Sequence, residues 1–386
     1  MKMFKRIFAA LMVVAMLFCF TACGETNYAK DNTEFVIGLS GPLTGGAAVY
    51  GVAVKNAAQM AVDEINAAGG LNGVKFKLVA TDDTHDASKV AANYATMYEG
   101  GMQVSLGTVT TAPGLEFSAL SAEDNVFFLT PSASGDKIPE NANGFQMCFA
   151  DGNQGKVAAE YVNSLGLSKI GVFYKSDDPY SNGIYKQFKE NLDASIEVVE
   201  TVFTGEAQDF SAQITTLKDC SFVFMPIYYQ PASVFMTQAK DIIAADAVYY
   251  GCDGFDGLAG QFEDFSVIPQ EVSMLSHFDS NATTGAAGDF IKKYTEKYGA
   301  DTLNQFGASA YDCVYAIYNA MKAAIDAGTE IDVTISASDL CEILKAQFTG
   351  DFSYSGVTGS NTKWEDNGYV AKEAVKYVLK TANSAQ

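Results

Sequence analysis

Two histidines among 386 residues leave little scope for histidine-dependent chemistry. His85 and His277 are the whole supply, and neither lies beside a Gly-x-Ser-x-Gly turn, so a Ser-His-Asp triad has no base. Ser134-Gly135-Asp136-Lys137 has the Ser-x-x-Lys spacing of one nucleophile class, but the companion Ser-Asp-Asn and Lys-Thr-Gly motifs are missing. Cysteines offer no metal cage. Cys148, Cys220, Cys252, Cys313 and Cys341 form no Cys-x-x-Cys pair, and an odd set excludes a complete disulfide framework. Gly38, Gly41, Gly45 and Gly46 make a glycine-rich turn without the Gly-x-Gly-x-x-Gly spacing of a nucleotide site. No cofactor or metal is expected. Basic residues are scarce as well: 25 Lys and Arg stand against 46 Asp and Glu. A surface this acidic repels phosphate backbones, so nucleic acid is excluded as a partner. Beyond the N-terminus no apolar run reaches membrane-spanning length, and there is no short-period repeat or low-complexity tract.

What is present begins at that N-terminus. Lys2, Lys5 and Arg6 precede an apolar stretch from Ile7 to Ala22, too short for a dependable span and suited to an export signal. Phe20-Thr21-Ala22-Cys23-Gly24 resembles the lipobox of bacterial lipoproteins, with Phe20 in place of the usual aliphatic residue. The resemblance implies a signal peptide over residues 1–22, lipidation of Cys23, a polar tether over 23–33, and anchoring outside the bacterial cell membrane. Two acyl chains suffice for stable anchoring at ~0.8 kcal/mol per buried CH₂. Removing the three basic residues of the signal leaves 22 against 46, a net charge of −24 in place of −21.

The remainder alternates short β-rich runs with amphipathic stretches, the mark of parallel α/β layers. Strands are expected at 35–39, 76–81, 104–106 and 126–129, then at 170–174, 196–203, 222–225, 248–250, 272–276 and 374–379. The later helical patterns, 285–298, 306–327 and 339–347, lack strands of their own and should pack back on the first sheet. Asp82-Asp83-Thr84-His85-Asp86 offers metal-ligand types, but it sits between a strand and a helix where Asp86 is a natural N-cap. His277 reads as a structural histidine.

Two strand-end loops carry hydroxyls ahead of helices: Thr108-Val109-Thr110-Thr111 and Thr130-Pro131-Ser132-Ala133-Ser134. Together they can present hydroxyl and backbone N–H donors to a small anion. In order along the chain, IGLSGPLTGGAAVYG, AVDEINAAGGLNG, LVATDD, TPSASG, DPYSNG, DFSAQITTLK, GVTG and DNG resemble the leucine/isoleucine/valine-binding family of type I periplasmic binding proteins, which serve ABC importers. The resemblance runs from Phe35 to Leu379. It implies a two-lobed α/β fold, each lobe a mostly parallel sheet flanked by helices, joined by a three-stranded hinge. Lobe 1 would comprise 34–150 plus 276–347, and lobe 2 would comprise 151–275 plus 348–386.

Site residues follow from the same resemblance. The family position matching Tyr50 packs over the ligand. Those matching Thr111, Ser132 and Ser134 hold an amino acid's α-carboxylate and α-ammonium, and Thr110 joins the set on the same loop. Tyr180 and Tyr229 match aromatic contacts, and Asp253 stands where an acid pairs with the ammonium. Some relatives carry a disulfide at the positions of His85 and Thr110, which cannot form here. The expected function is capture of a branched-chain or other apolar amino acid by hinge closure, without chemistry. Expected partners are permease and ATPase subunits, with the chain a monomer. The other readings are a binder of urea, short amides or aromatic acids, or a sensory receptor.

Overall fold

In a computed structural model, which describes residues 26–382, the chain forms two sheets with helices on both faces. The first lobe runs β1 (Phe35–Gly41), α1 (Ala48–Ala67), β2 (Phe76–Asp82), α2 (Val90–Glu99), β3 (Val104–Ser105), α3 (Thr111–Glu123), β4 (Phe128–Thr130) and β5 (Gly144–Gln146). Its five strands lie in the order β2-β1-β3-β4-β5, all parallel. Every residue of β1 is buried, as expected of a strand covered on both faces. α1 buries Tyr50, Val54, Ala57, Ala61 and Ile65, an i, i+3/i+4 stripe, against that sheet. It stops where Gly69 and Gly70 take left-handed conformations, which end a helix at no Cβ cost.

The second lobe continues with α4 (Asp151–Ser164), β6 (Lys169–Lys175), α5 (Pro179–Asn191), β7 (Glu197–Phe203), α6 (Ser211–Leu217), β8 (Phe222–Met225), α7 (Tyr229–Ala239), β9 (Val248–Gly251) and β10 (Glu271–Ser276). α4 and α5 pack closely because Gly155 has no side chain: a Cβ there would overlap the Ile184 carbonyl. The chain then returns to the first lobe with α8 (Gly285–Tyr298), α9 (Gln305–Asp326) and α10 (Ala337–Phe348). α9 lies on α1 and β4, and α10 reaches β3, which is the return expected of helices without strands. β11 (Val375–Lys380) closes the second sheet, order β11-β10-β9-β8-β6-β7, and is its one antiparallel member.

One boundary needs correction. Residues 348–369, assigned from sequence to the second lobe, are bound to the first. The Trp364 indole N–H donates to the Gln146 carbonyl (2.8 Å). Its ring lies 4.4 Å from that of Phe348, and Tyr354 donates to Asp312 of α9 (2.9 Å). Only from about Val370 does the chain cross over to β11. Three crossovers therefore join the lobes: between β5 and α4, between β10 and α8, and just before β11. The signal, Cys23 and the start of the tether lie outside the described residues, as do 383–386 at the second lobe's end; among those described no helix is long and apolar enough to cross a membrane.

Candidate functional site

The parallel strands of both sheets aim their carboxyl ends at one cleft, the position where open α/β sheets place ligands. From the first lobe, the loops after β3 and β4 are stitched together. Thr130 Oγ1 donates to the Thr108 carbonyl (2.8 Å) and Ser132 Oγ to the Val109 carbonyl (2.7 Å). Thr130 thus shapes the turn, while Ser132, its proton spent, offers acceptor lone pairs. Thr110 caps α3 with its backbone but contributes no side-chain cap, so the first N–H groups of that helix remain open to an anion.

His85 and Thr110, the positions where the resemblance implies a disulfide in some relatives, are adjacent here. His85 Nδ1 and Thr110 Oγ1 lie 2.9 Å apart, a hydrogen bond in place of a covalent tie.

From the second lobe, Tyr180 of α5 donates to Asp253 Oδ1 (2.7 Å) and accepts from the Gly254 N–H (2.9 Å). Gln154 of α4 accepts from the Asp253 N–H (3.0 Å). Asp253 is fully buried, and desolvation, only partly offset by the Tyr180 and Gln154 hydrogen bonds, pushes its carboxyl up to about 6.

The structure adds a second acid that the sequence reading did not single out. Asp151, the first residue of α4, is buried where the first crossover enters the cleft. Thr111 donates to its Oδ2 (3.3 Å), its N–H donates to the Ser134 carbonyl (2.8 Å), and Gln154 reaches Oδ1 (3.5 Å). Burial raises its pKa well above the ordinary carboxylate value, and the nearby Asp253 charge raises it further. Thr111 and Ser134 from one lobe thus meet Asp253 and Tyr180 from the other through Asp151.

Aromatic rings wall the site. Tyr50 of α1 spans the lobes: its O–H donates to the Gly254 carbonyl (2.5 Å) and its oxygen accepts from the Tyr229 N–H (3.3 Å). The Tyr229 ring meets the Tyr50 ring edge-on at 4.9 Å. The ring stacked on Tyr180, however, is Tyr228, at 4.5 Å and 14°, and the sequence reading named only its neighbour. Tyr228 also meets His85 edge-on across the cleft at 5.1 Å, and its buried hydroxyl has no hydrogen-bond partner among the described residues. Beyond these rings a cavity of 570 Å³ opens between the lobes, lined by Ala47, His85, Lys175, Phe203, Tyr228 and Gln230.

Chemically, this is a cradle with unlike poles. Helix N–H groups and hydroxyls suit an anion, while two buried carboxylates and a phenol oxygen suit a cation.

Comparisons with known proteins agree with this architecture. A family model described as periplasmic binding protein matches residues 34–378. A Leu/Ile/Val-binding protein of Rhizobium johnstonii is 31% identical over 362 residues, covering 89% of this chain and 95% of the relative. A leucine-, isoleucine-, valine-, threonine- and alanine-binding protein of Pseudomonas aeruginosa is 28% identical, covering 65% of this chain and 66% of its own length. Among solved structures, the branched-chain amino acid transporter substrate-binding protein of Streptococcus pneumoniae, in complex with isoleucine, superposes with a TM-score of 0.78. It is 26% identical and is covered to 98%, with 90% of this chain. The fold, the cleft and the matched span agree: the chain belongs to the periplasmic binding protein family.

Proposed function

We propose that this chain is the substrate-binding lipoprotein of an ABC importer, anchored through Cys23 outside the cell membrane, and that it captures a branched-chain or other apolar amino acid. Its relatives' names support the ligand class and the transport role. The observation that carries the reading is the buried pair Asp151 and Asp253, opposite the open N-terminus of α3. The pair would take the α-ammonium together with Tyr180. Thr111, Ser134 and the first N–H groups of α3 would take the α-carboxylate. Ser132 would add an acceptor for the ammonium, and Thr110 would set the loop through His85. Tyr50, Tyr228 and Tyr229 exclude water, which strengthens both sets of charge-assisted bonds. The chain performs no chemistry on what it holds. It would act as a monomer and deliver the ligand to permease and ATPase subunits.

Thermal-shift screening of protein lacking residues 1–23, unfolded and refolded to strip carried ligand, tests the assignment. Leucine, isoleucine or valine at a hundred times its Kd should add about 2.7 kcal/mol of stability. A response to urea, short amides or aromatic acids with none to amino acids would remove it. Tyr50→Phe gives a second test. It deletes two hydrogen bonds that exist only while the lobes touch, each contributing about 1 kcal/mol. Leucine affinity by calorimetry should therefore fall about tenfold or more, with the ligand-free melting temperature nearly unchanged. Unaltered affinity would mean that Tyr50 does not couple closure to binding.

A further inference from the structure

A cavity of 840 Å³ lies outside the cleft, between the second and third crossovers and the loop from Thr358 to Lys363. Its volume is in the range of small-molecule sites. Phe278, Val375 and Tyr377 give it an apolar wall, and Lys372 and His277 bring nitrogen to it.

The state of Lys372 is unusual. Its ammonium donates to Thr358 Oγ1 (2.6 Å), and that hydroxyl donates on to Asp312 Oδ2 (2.5 Å). Asp312 is already occupied by the Tyr354 hydroxyl and by the N–H groups of Val357 and Thr358. Among the described residues no carboxylate forms an ion pair with Lys372, whereas Lys376 nearby is matched by Glu271 at 2.9 Å. An ammonium has three donors, so the half-buried Lys372 keeps hydrogen-bonding capacity toward the cavity. His277 binds Ser309 through Nε2 (2.7 Å), and its buried Nδ1 has no partner among the described residues.

We propose that this hinge cavity is a second binding site, for a small organic carboxylate with an apolar body, held by Lys372 beside His277 and seated on Phe278 and Tyr377. A free amino acid is disfavoured there, because its ammonium would face Lys372, Lys363 and Lys376; Asp279 and Glu373 also line the cavity and offset part of that charge. The site bears on the cleft. The Thr358 loop is tied to the first lobe through Asp312, and Val375 belongs to the second sheet, so an occupant joins both lobes in the arrangement where they touch. By reciprocity it tightens binding in the cleft.

The site itself does not rest on the amino-acid reading, because benzoate and succinate titrated calorimetrically into the purified protein test it directly; only the coupling to leucine does. Benzoate should bind saturably at one site, lose that binding in Lys372→Met, recover it in Lys372→Arg, and keep it in the cleft variant Thr111→Val. Saturating benzoate should also lower the Kd of leucine about fivefold or more. Retention in Lys372→Met with loss in Thr111→Val would place benzoate in the cleft and overturn the proposal. Absence of saturable heat from benzoate, or binding of succinate as tight as that of benzoate, would overturn it too. If Lys372→Met does not fold, His277→Gln replaces it, and unweakened benzoate binding there counts against the site.

Discussion

Asp253→Ala should abolish tight binding of an amino acid while making the ligand-free protein more stable. Removing one member of a buried charge pair costs about 3–5 kcal/mol, because the partner is left desolvated and uncompensated. At about 1.4 kcal/mol per decade, leucine affinity should fall at least a hundredfold. The ligand-free protein responds in the opposite direction. Burial holds the Asp253 carboxyl at about 6, against an ordinary aspartate value of 3.8. Keeping it ionised at neutral pH therefore costs the fold on the order of 3 kcal/mol at about 1.36 kcal/mol per pH unit. Asp253→Asn, which keeps the size and can still accept from Tyr180, isolates charge from packing. Calorimetric titration and thermal unfolding of both variants give the two readings side by side. A variant that binds leucine with the parent Kd would end the ammonium assignment, and one that merely unfolds would reduce Asp253 to a structural acid.

The second large effect is with pH. Asp253 and Asp151 both have folded pKa values raised by burial, Asp151 also by its neighbour. Because the folded value exceeds the unfolded one, the Asp253 stability term is fully present below about pH 4 and is lost as pH rises through about 6. Acidification from 7 to 5 thus stabilises the ligand-free protein at this site. Binding runs the other way, since an ammonium needs ionised carboxylates and draws their pKa values down. Below pH 6, affinity should fall about tenfold per unit for one titrating carboxylate, and more steeply if both take part. The ligand's own groups do not titrate in this window. Titrations at pH 7.5, 6 and 5 in two buffers of different ionisation enthalpy would also detect the proton released on binding. Affinity constant from pH 7 to 5 would contradict the charge pair.

How much of this was legible in the sequence depended on how local the signal was. β1, fully buried and seven residues long, and α1, with a long apolar stripe, declare themselves by period. β5 has only three residues including Gly144, and gives no period to read. Residues 348–369 depart from the expected lobe for a related reason: they have almost no regular structure. Single long-range bonds, such as that from the Trp364 indole to Gln146, fix their place, and these leave no trace in spacing. In the site, Asp253 and Tyr180 stood on motifs, whereas Asp151 looks like any acid in a helix's first turn. Its burial comes from the crossover's path, which composition does not encode; its place at the start of the helix that leaves the first lobe was the available clue. Tyr228 and Tyr229 are neighbours, and only the helix start decides between them: Tyr228 is extended, and Tyr229 begins the turn.

The late return of the chain has a consequence for the order of synthesis. The first sheet is complete at Gln146, but its cover waits for α9, α10 and the Trp364 segment, and the second sheet waits for β11 at 375–380. Neither lobe can finish while the ribosome still holds the last residues. Contacts of such long sequence separation make for slow folding. For a protein of an extracytoplasmic family such a delay would be useful, since a chain slow to fold stays longer in the unfolded form that a membrane channel can pass.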